Sequence, residues 1–350
     1  MFQYILDRLV IAFTSYILES EPPILSIRSF LRLSAHIQML PVLESGEETT
    51  LVGGQAVMEG VMMRAPHSYC VAVLQPNGEL VTEESALPRV SEKYPIFKLP
   101  VLRGLGTLGQ AMWLGLKALR FSANAALSDG KSGGKPQEVS SWMMGLNLMF
   151  SLAFFIFLYK FVPLFLATAI GKAVPVLHGR LAVNLMDGLI RLTIFLGFLF
   201  LISRMKDIRR VFEFHGAEHK VVFNFESGKP VTVKNAQEFV TFHPRCGTSF
   251  LLVVMVISMV VYALLPFDGF VAKLLGRIAL LPLVAGVSYE LIRFAAKRQG
   301  SLMAALTAPG LWLQRVTTKP PSDEQTRVAI HALNGAMALE EAQGGQLVIA

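Results

Sequence analysis

Four long apolar stretches constrain the fold of this chain more than any other feature. They cover residues 147–170, 181–203, 249–265 and 274–296. A helix of about 20 apolar residues crosses a hydrocarbon core of about 30 Å. Hydrophobic residues also make up 53% of the 350 residues and charged residues only 16%, a more apolar balance than soluble domains usually have. The sequence therefore predicts four transmembrane helices.

Charged residues inside these stretches need partners, because an isolated charge is costly in hydrocarbon. Asp187 and Arg191 are four residues apart, so a helix places them on one face, where they can neutralise each other. Lys160 lies near the middle of the first stretch and Glu290 towards the end of the fourth. Asp187, Arg191 and Glu290 predict a paired network within the helix bundle or, alternatively, an ion pathway, and Lys160 is expected to snorkel or to face a partner helix.

The distribution of lysine and arginine predicts the orientation of the helices. The connection between the second and third stretches is rich in these residues, as is the segment after the fourth, whereas the two opposite connections hold only Lys172, Arg180 and Lys273. Both termini and the long connection are therefore expected in the cytoplasm, in a multi-pass protein of the cytoplasmic (inner) membrane. The two cysteines, Cys70 and Cys246, agree with a reducing compartment.

The net charge of +7 follows from the same membrane-flanking residues. No run of alternating basic and aromatic residues indicates a groove for nucleic acid. The lipid bilayer is therefore the expected partner, and nucleic acid is not. Contact with other membrane proteins, or with further copies of the chain in an oligomer, is compatible with this pattern.

Outside the apolar stretches the sequence changes character several times. Asn77-Gly78 joins two short β-prone runs and is typical of a tight hairpin turn. Ser322 is followed three residues later by Gln325, the spacing of a helix capping box. The expected fold is mainly α, a polytopic membrane protein with about four transmembrane helices and a small cytoplasmic β-rich module. Its expected segments are an amphipathic or disordered extension at 1–50, the β-rich module at 51–100, a glycine-interrupted helix and linker at 101–137, the four-helix membrane domain at 138–300 with a cytoplasmic connection at 204–248, and a cytoplasmic tail at 301–350.

The long connection contains the order His215-x-x-Glu218-His219. In a helix the two histidines are four residues apart and project, with Glu218, from roughly one face. The same order occurs in metallopeptidases in which two histidines hold zinc and the glutamate activates water. Gly216, inside the motif, disfavours an ideal helix. The pattern predicts a divalent-metal site, with zinc as the favoured ion and Glu218 as the catalytic base.

A second pair of metal-binding side chains, His243 and Cys246, comes just before the third apolar stretch. Imidazole and thiolate are both good zinc ligands. Two histidines from the first motif and both members of this pair would close a tetrahedral structural site, whereas three ligands would leave a position for water beside Glu218. The sequence leaves both alternatives open. Arg245 either orients an anionic substrate or contacts lipid headgroups.

Several segments of the chain resemble the YqhQ-like family of bacterial membrane proteins. The matching segments are GGQAVMEGVMMR at 53–64, HGAEHK at 215–220, HPRCGTSF at 243–250, YEL at 289–291 and TTKP at 317–320. The resemblance extends from about residue 51 to about residue 340. It implies a membrane domain of unknown function that is described as a predicted metal-dependent enzyme.

Three functions are compatible with these observations. The first is a metal-dependent hydrolase at the cytoplasmic membrane face, acting on a lipid, a peptide or an amphipathic metabolite. The second is a non-catalytic assembly or regulatory protein with a structural metal site, and the third is a transporter that uses the charged residues of the apolar stretches. For the first, we expect four further polar residues to bind substrate or to support the ligands, namely Gln55, Glu59, Arg64 and Glu290. Alternatively, Gln55 and Glu59 only form turns.

Overall fold

The chain is mainly helical, with one small antiparallel sheet. The computed structural model describes residues 52–127, 140–243, 246–267, 269–297 and 301–343. The extension expected at 1–50 and the linker expected at 128–137 lie outside the described residues. The fold is therefore set out below for the sheet module and the apolar helices.

The secondary-structure elements are numbered in chain order. The strands are β1 (Gly53–Val57), β2 (Gly60–Arg64), β3 (Ser68–Leu74) and β4 (Leu80–Ala86). The helices are α1 (Leu102–Leu127), α2 (Ser141–Ile156), α3 (Val162–Ala173), α4 (Arg180–Ile202), α5 (Lys206–Glu226), α6 (Val233–Gln237), α7 (Gly247–Ala263), α8 (Phe270–Ala279), α9 (Leu281–Lys297), α10 (Ser301–Thr317) and α11 (Asp323–Ala342). Short helical turns cover Val90–Lys93, Pro95–Lys98 and Pro175–Leu177, and a π-helical turn at Phe157–Phe161 joins α2 to α3.

The four strands form an antiparallel meander in the order β1–β2–β3–β4, which confirms the prediction of a small β-rich module. The predicted hairpin is also confirmed, because β3 and β4 meet at Asn77-Gly78. Gly78 has a φ of 84°, a left-handed conformation that favours glycine. Its N–H donates to the carbonyl of Gln75 at 2.9 Å and closes the turn.

Helices cover both faces of the sheet, because successive side chains of a strand point to opposite faces. On one face Val61 and Cys70 pack against α5 and α11, and on the other Met62 and Val71 pack against α1. All four side chains are at most 2% exposed, and full burial of a large apolar side chain stabilises a fold by about 1.5–3 kcal/mol. The module therefore has three layers, and α5 is held firmly against the sheet.

Helix α11 belongs to this module although it comes from the far end of the sequence. It begins with the predicted capping box, in which Ser322 Oγ accepts from the N–H of Gln325 and Gln325 Oε1 accepts from the N–H of Ser322. Ala332 and Ala336 are fully buried against the sheet and α5. Helix α11 thus completes the core of the module, although the sequence predicts a tail at 301–350. The small side chains of its alanines let the helix lie close to the sheet and α5.

Two helices of the described chain are long and apolar enough to cross a membrane, namely Gly145–Ala173 and Arg180–Ile202. A third span results if α8 and α9, which are bent by 48° relative to each other, are counted together. The predicted stretch at 249–265 forms α7, which is apolar but only 17 residues long. The structure therefore supports two or three spans instead of the four predicted, because α7 is short and the last stretch breaks at Leu280.

The buried charges of the apolar helices are paired, as predicted for Asp187 and Arg191. Arg191 donates to the Asp187 carboxylate, and Arg277 of α8 lies on the other oxygen of the same group, with 2.7 Å between Nη1 and Oδ1. Lys160 donates its Nζ proton to the hydroxyl of Tyr262 at 2.9 Å. These contacts tie α4 to α8 and the π-helical turn to α7. One carboxylate thus holds two buried guanidinium groups within the bundle.

Candidate functional site

Helix α5 places the two histidines of the first motif on one face, as the four-residue spacing predicts. The ring centroids of His215 and His219 are 4.4 Å apart. Gly216 between them does not break the helix; it allows another chain segment to cross. A Cβ atom at this position would lie 2.0 Å from the carbonyl oxygen of Lys319. The N–H of Lys319 in turn donates to the carbonyl of Phe212 at 2.9 Å, so the crossing segment is fixed against α5.

Two backbone carbonyls, one from the crossing segment and one from the segment before α7, determine which nitrogen of each imidazole is available to a ligand. His215 Nδ1 lies 2.8 Å from the carbonyl oxygen of Thr317, and His219 Nδ1 lies 2.5 Å from that of Thr241. A carbonyl can only accept a hydrogen bond, so each Nδ1 carries a proton, which in a neutral imidazole leaves the lone pair on Nε2. Hydrogen bonds of this kind orient histidines that bind metals.

Cys246 completes a group of three converging donors, called the His–Cys trio: His215, His219 and Cys246. Their potential ligand atoms all lie within 4.8 Å of one another. Cys246 Sγ is 3.3 Å from His215 Nε2, and the residue is only 7% exposed. Nitrogen and sulfur donors of this type are those that zinc prefers. The donor set and the fixed imidazole tautomers therefore fit a divalent zinc ion.

His243 lies beside the trio but faces another group. Its ring centroid is 5.6 Å from that of His219, and its Nε2 is 3.4 Å from Oε2 of Glu226. The backbone N–H of His243 donates to Gln314 Oε1 at 2.7 Å. Burial lowers the pKa of His243 to about 4, against a smaller opposing effect of the Glu218 carboxylate. Burial likewise lowers the pKa of His219 to about 4, so both imidazoles are neutral near pH 7.

Glu218 sits directly next to the trio. Its Oε2 atom is 3.4 Å from His219 Nε2, and the residue is 6% exposed. The stem of the side chain lies against β1, where a Cβ atom at Gly54 would come within 2.6 Å of Glu218 Cγ. Glycine at this position of the glycine-rich segment therefore lets the carboxylate enter the space between the sheet and α5.

The trio and Glu218 open into a cavity of about 600 Å³. The remaining wall comes from β2, the segment after β4, α1 and α9, and it is strongly basic. The basic residues that line it are Arg64, Arg89, Lys98, Arg103 and Arg293. Arg64 is the only one of these that the sequence singled out, because the other four belong to no motif.

Three of the other residues expected to bind substrate or support the ligands, Gln55, Glu59 and Glu290, do not line the cavity. Gln55 points towards α1, with its Nε2 atom 3.5 Å from the carbonyl of Ala111. Glu59 accepts a hydrogen bond from Arg210 Nε at 2.5 Å in the turn between β1 and β2. Glu290 forms a bidentate ion pair with Arg103, one of the basic residues that line the cavity. Arg245 lies outside the described residues.

Comparison with known proteins shows which family the chain belongs to. A model for proteins of unknown function, DUF1385, matches residues 99–339. The chain is 36% identical over 299 residues to the uncharacterized protein YqhQ of Bacillus subtilis (strain 168), which covers 82% of this chain and 92% of that protein. No solved structure matches the chain. The family match and the identity together show that the chain belongs to the YqhQ-like DUF1385 family.

Proposed function

We propose that this chain is a membrane-embedded, metal-dependent hydrolase that acts at the cytoplasmic membrane face. The observation that carries this proposal is the convergence of three zinc-type donor atoms beside a buried carboxylate at the wall of a cavity. A zinc ion held there would lower the pKa of water and polarise the bond to be cleaved. The trio would hold the ion, and the hydrogen bonds of both Nδ1 atoms to the carbonyls of Thr317 and Thr241 would leave both Nε2 atoms free to bind it.

Glu218 is the proposed general base. Its carboxylate lines the same cavity as the trio, so it can accept a proton from a water molecule that occupies the cavity beside the substrate. A positioned general base typically accelerates a reaction by about 10²–10⁴-fold. Its burial against Gly54 holds it in place, and one carboxylate therefore supplies the proton acceptor that the reaction needs.

Three converging donors favour a catalytic site over a structural one, because catalytic zinc sites commonly have three protein ligands and one open position. The second candidate function is a non-catalytic assembly or regulatory protein with a closed, four-ligand metal site. One observation favours it: the His243 ring lies 5.6 Å from the ring of His219 and His243 lines the same cavity, so a fourth potential ligand lies beside the trio.

The membrane location is proposed from the apolar helices. Large apolar side chains of α2 and α4 are exposed on the protein surface, for example Trp142 at 78% and Leu181 at 72%, and lipid would cover them. The cavity lies beside the start of α7 and the second half of α9, since Cys246, Tyr289 and Arg293 line it. This supports a site near one end of the apolar helices, and the distribution of basic residues in the sequence favours the cytoplasmic side.

The test is hydrolysis by the full-length protein purified in a maltoside detergent. A panel of p-nitrophenyl carboxylate and phosphate esters supplies the probes, and zinc content is measured on the same samples. We expect zinc-dependent turnover that falls about 100-fold or more in Glu218→Gln while zinc is retained. Glu238→Gln, an exposed glutamate outside the cavity, is the matched control. Zinc at full occupancy without turnover on any probe would instead favour the structural site.

A further inference from the structure

The side chains that line the cavity have an unbalanced charge. Five basic residues line the cavity, whereas Glu218 is the only acidic residue among the described residues that line it. Arg103 is neutralised by its ion pair with Glu290. In the described part of the chain, no ion pair joins Arg64, Arg89 or Arg293 to a carboxylate. The wall therefore presents several positive charges to whatever occupies the cavity.

Two of these charges, those of Arg64 and Arg89, line the same cavity and act on each other. Arg64 Nη2 donates to Gln110 Oε1 at 2.8 Å, a neutral partner that orients the guanidinium but does not balance its charge. Burial lowers the pKa of Arg64, and the nearby Arg89 lowers it further. Arginine still remains protonated near neutral pH. Like charges in a partly buried site repel each other, and an anion bound between them would remove that cost.

The donor chemistry of the wall indicates which anion fits. A guanidinium group presents planar pairs of N–H donors that match the oxygens of a phosphate group. Ser91 and Thr107 also line the cavity and add hydroxyl groups that can donate to further oxygens. A monovalent carboxylate would leave most of the positive charge unbalanced, whereas a phosphate ester supplies more charge and more acceptor atoms.

We infer that the cavity binds a substrate that carries a phosphate ester, held by Arg64, Arg89 and Arg293 in the cavity that the His–Cys trio also lines. This inference rests on the proposed hydrolase function and specifies its substrate class. The phosphate group of a lipid and that of a soluble metabolite have the same recognition chemistry. Tyr289 and Arg293 come from α9 and Cys246 precedes α7, so the cavity borders apolar helices that lipid chains can reach.

Calorimetric binding to the full-length protein in a maltoside detergent tests this inference. The probes are glycerol 3-phosphate, dihexanoyl phosphatidic acid and hexanoate, all titrated into Glu218→Gln protein so that turnover does not interfere. We expect both phosphate probes to bind at least about tenfold more tightly than hexanoate. Tighter binding of the phosphatidic acid identifies a lipid source, and equal binding of the two identifies a soluble phosphate ester.

Variants show whether the basic wall is responsible for the binding. Arg64→Gln combined with Arg89→Gln is expected to weaken phosphate binding at least about tenfold, and Arg327→Gln, an exposed arginine on α11, is expected to leave it unchanged. Arg293→Gln alone provides the same test if the double variant does not fold. Absence of phosphate binding, or unchanged binding in the cavity variants, would overturn the inference.

The outcome separates this inference from the proposed function. Zinc-dependent turnover of esters without phosphate binding would refute the phosphate assignment and leave the hydrolase intact. Phosphate binding that depends on Arg64 and Arg89, in a protein without zinc or turnover, would refute the hydrolase and retain the anion site.

Discussion

His215 donates its Nδ1 proton to the carbonyl oxygen of Thr317, which lies 2.8 Å away and 102 residues further along the chain. The direction of a candidate metal-binding nitrogen therefore depends on a segment distant in sequence. That segment reaches α5 only because Gly216 leaves room for the backbone of Lys319. The absence of a side chain at Gly216, next to His215, thus determines the geometry of the trio.

Gly216→Ala tests this dependence directly. The new Cβ atom would lie 2.0 Å from the Lys319 carbonyl oxygen, so the crossing segment must move away from α5 and from His215. We expect a loss of about 1–3 kcal/mol of stability, as for other overpacked sites, together with weaker zinc retention. Chemical denaturation and zinc analysis of the purified protein measure the two effects.

The matched control is Gly109→Ala in α1, where a Cβ atom meets nothing within 4 Å. Alanine is favoured over glycine in a helix by about 0.5–1 kcal/mol, so this variant should be as stable as the wild type or slightly more stable. Equal behaviour of the two variants would show that the crossing at Gly216 is not under tight steric constraint.

The buried pairing around Asp187 predicts a large stability effect. Asp187→Asn leaves Arg191 and Arg277 without the carboxylate that both contact, and removing one partner from a buried ion pair typically costs about 3–5 kcal/mol. We expect a large drop in thermal stability of the detergent-purified protein. Asp207→Asn, at an exposed position in the first turn of α5, should change stability by at most about 1 kcal/mol. Similar losses in the two variants would contradict a special role for Asp187.

The two cysteines should differ in reactivity. Cys70 is fully buried in the sheet, and burial with the neighbouring Glu84 raises the pKa of its thiol to about 12. Cys246 lines the cavity. At pH 8, iodoacetamide should therefore modify Cys246 in zinc-stripped protein and leave Cys70 intact, because the thiolate is the reactive form. Added zinc should protect Cys246, and mass spectrometry of peptides reads out both sites.

The raised pKa of Cys70 also has a consequence for stability at high pH. The thiol stays protonated in the folded chain up to about pH 12, whereas it ionises near its ordinary value of 9.0 when unfolded. Its contribution to stability is present below pH 9 and is lost as the pH rises from 9 towards 12. Cys70→Ala should flatten that part of the stability profile measured by denaturation. A slope unchanged by the substitution would contradict the assignment.

Local sequence signals predicted local features of this molecule well. The spacing of His215 and His219 placed them on one helix face, Asn77-Gly78 gave the hairpin, and Ser322 with Gln325 gave the capping box. Each of these depends on residues within a few positions of one another. The count of four spans was not confirmed, because α7 has only 17 residues and the last apolar stretch is bent by 48° between α8 and α9.

Features that depend on distant contacts were not predictable from the sequence. Arg89 and Arg293 lie in no motif, and they come together only because the segment after β4 and helix α9 meet at the cavity. Gly216 looked unfavourable for a helix, and its role emerged only with the crossing at Lys319. The groups that orient the two histidines are the backbone carbonyls of Thr317 and Thr241. Every residue has a backbone carbonyl, so no residue type in the sequence could mark these positions.

The zinc content of the full-length protein tests the central claim most directly. Protein purified without chelators is measured by inductively coupled plasma mass spectrometry, as wild type and as His215→Ala, Cys246→Ala and His331→Ala. The last is an exposed histidine on α11 and serves as the control. A metal centre in the His–Cys trio predicts one zinc per chain in the wild type and in His331→Ala, and little or none in the two trio variants. A wild type without bound metal, even after zinc is supplied, or trio variants that retain full zinc occupancy, would contradict it.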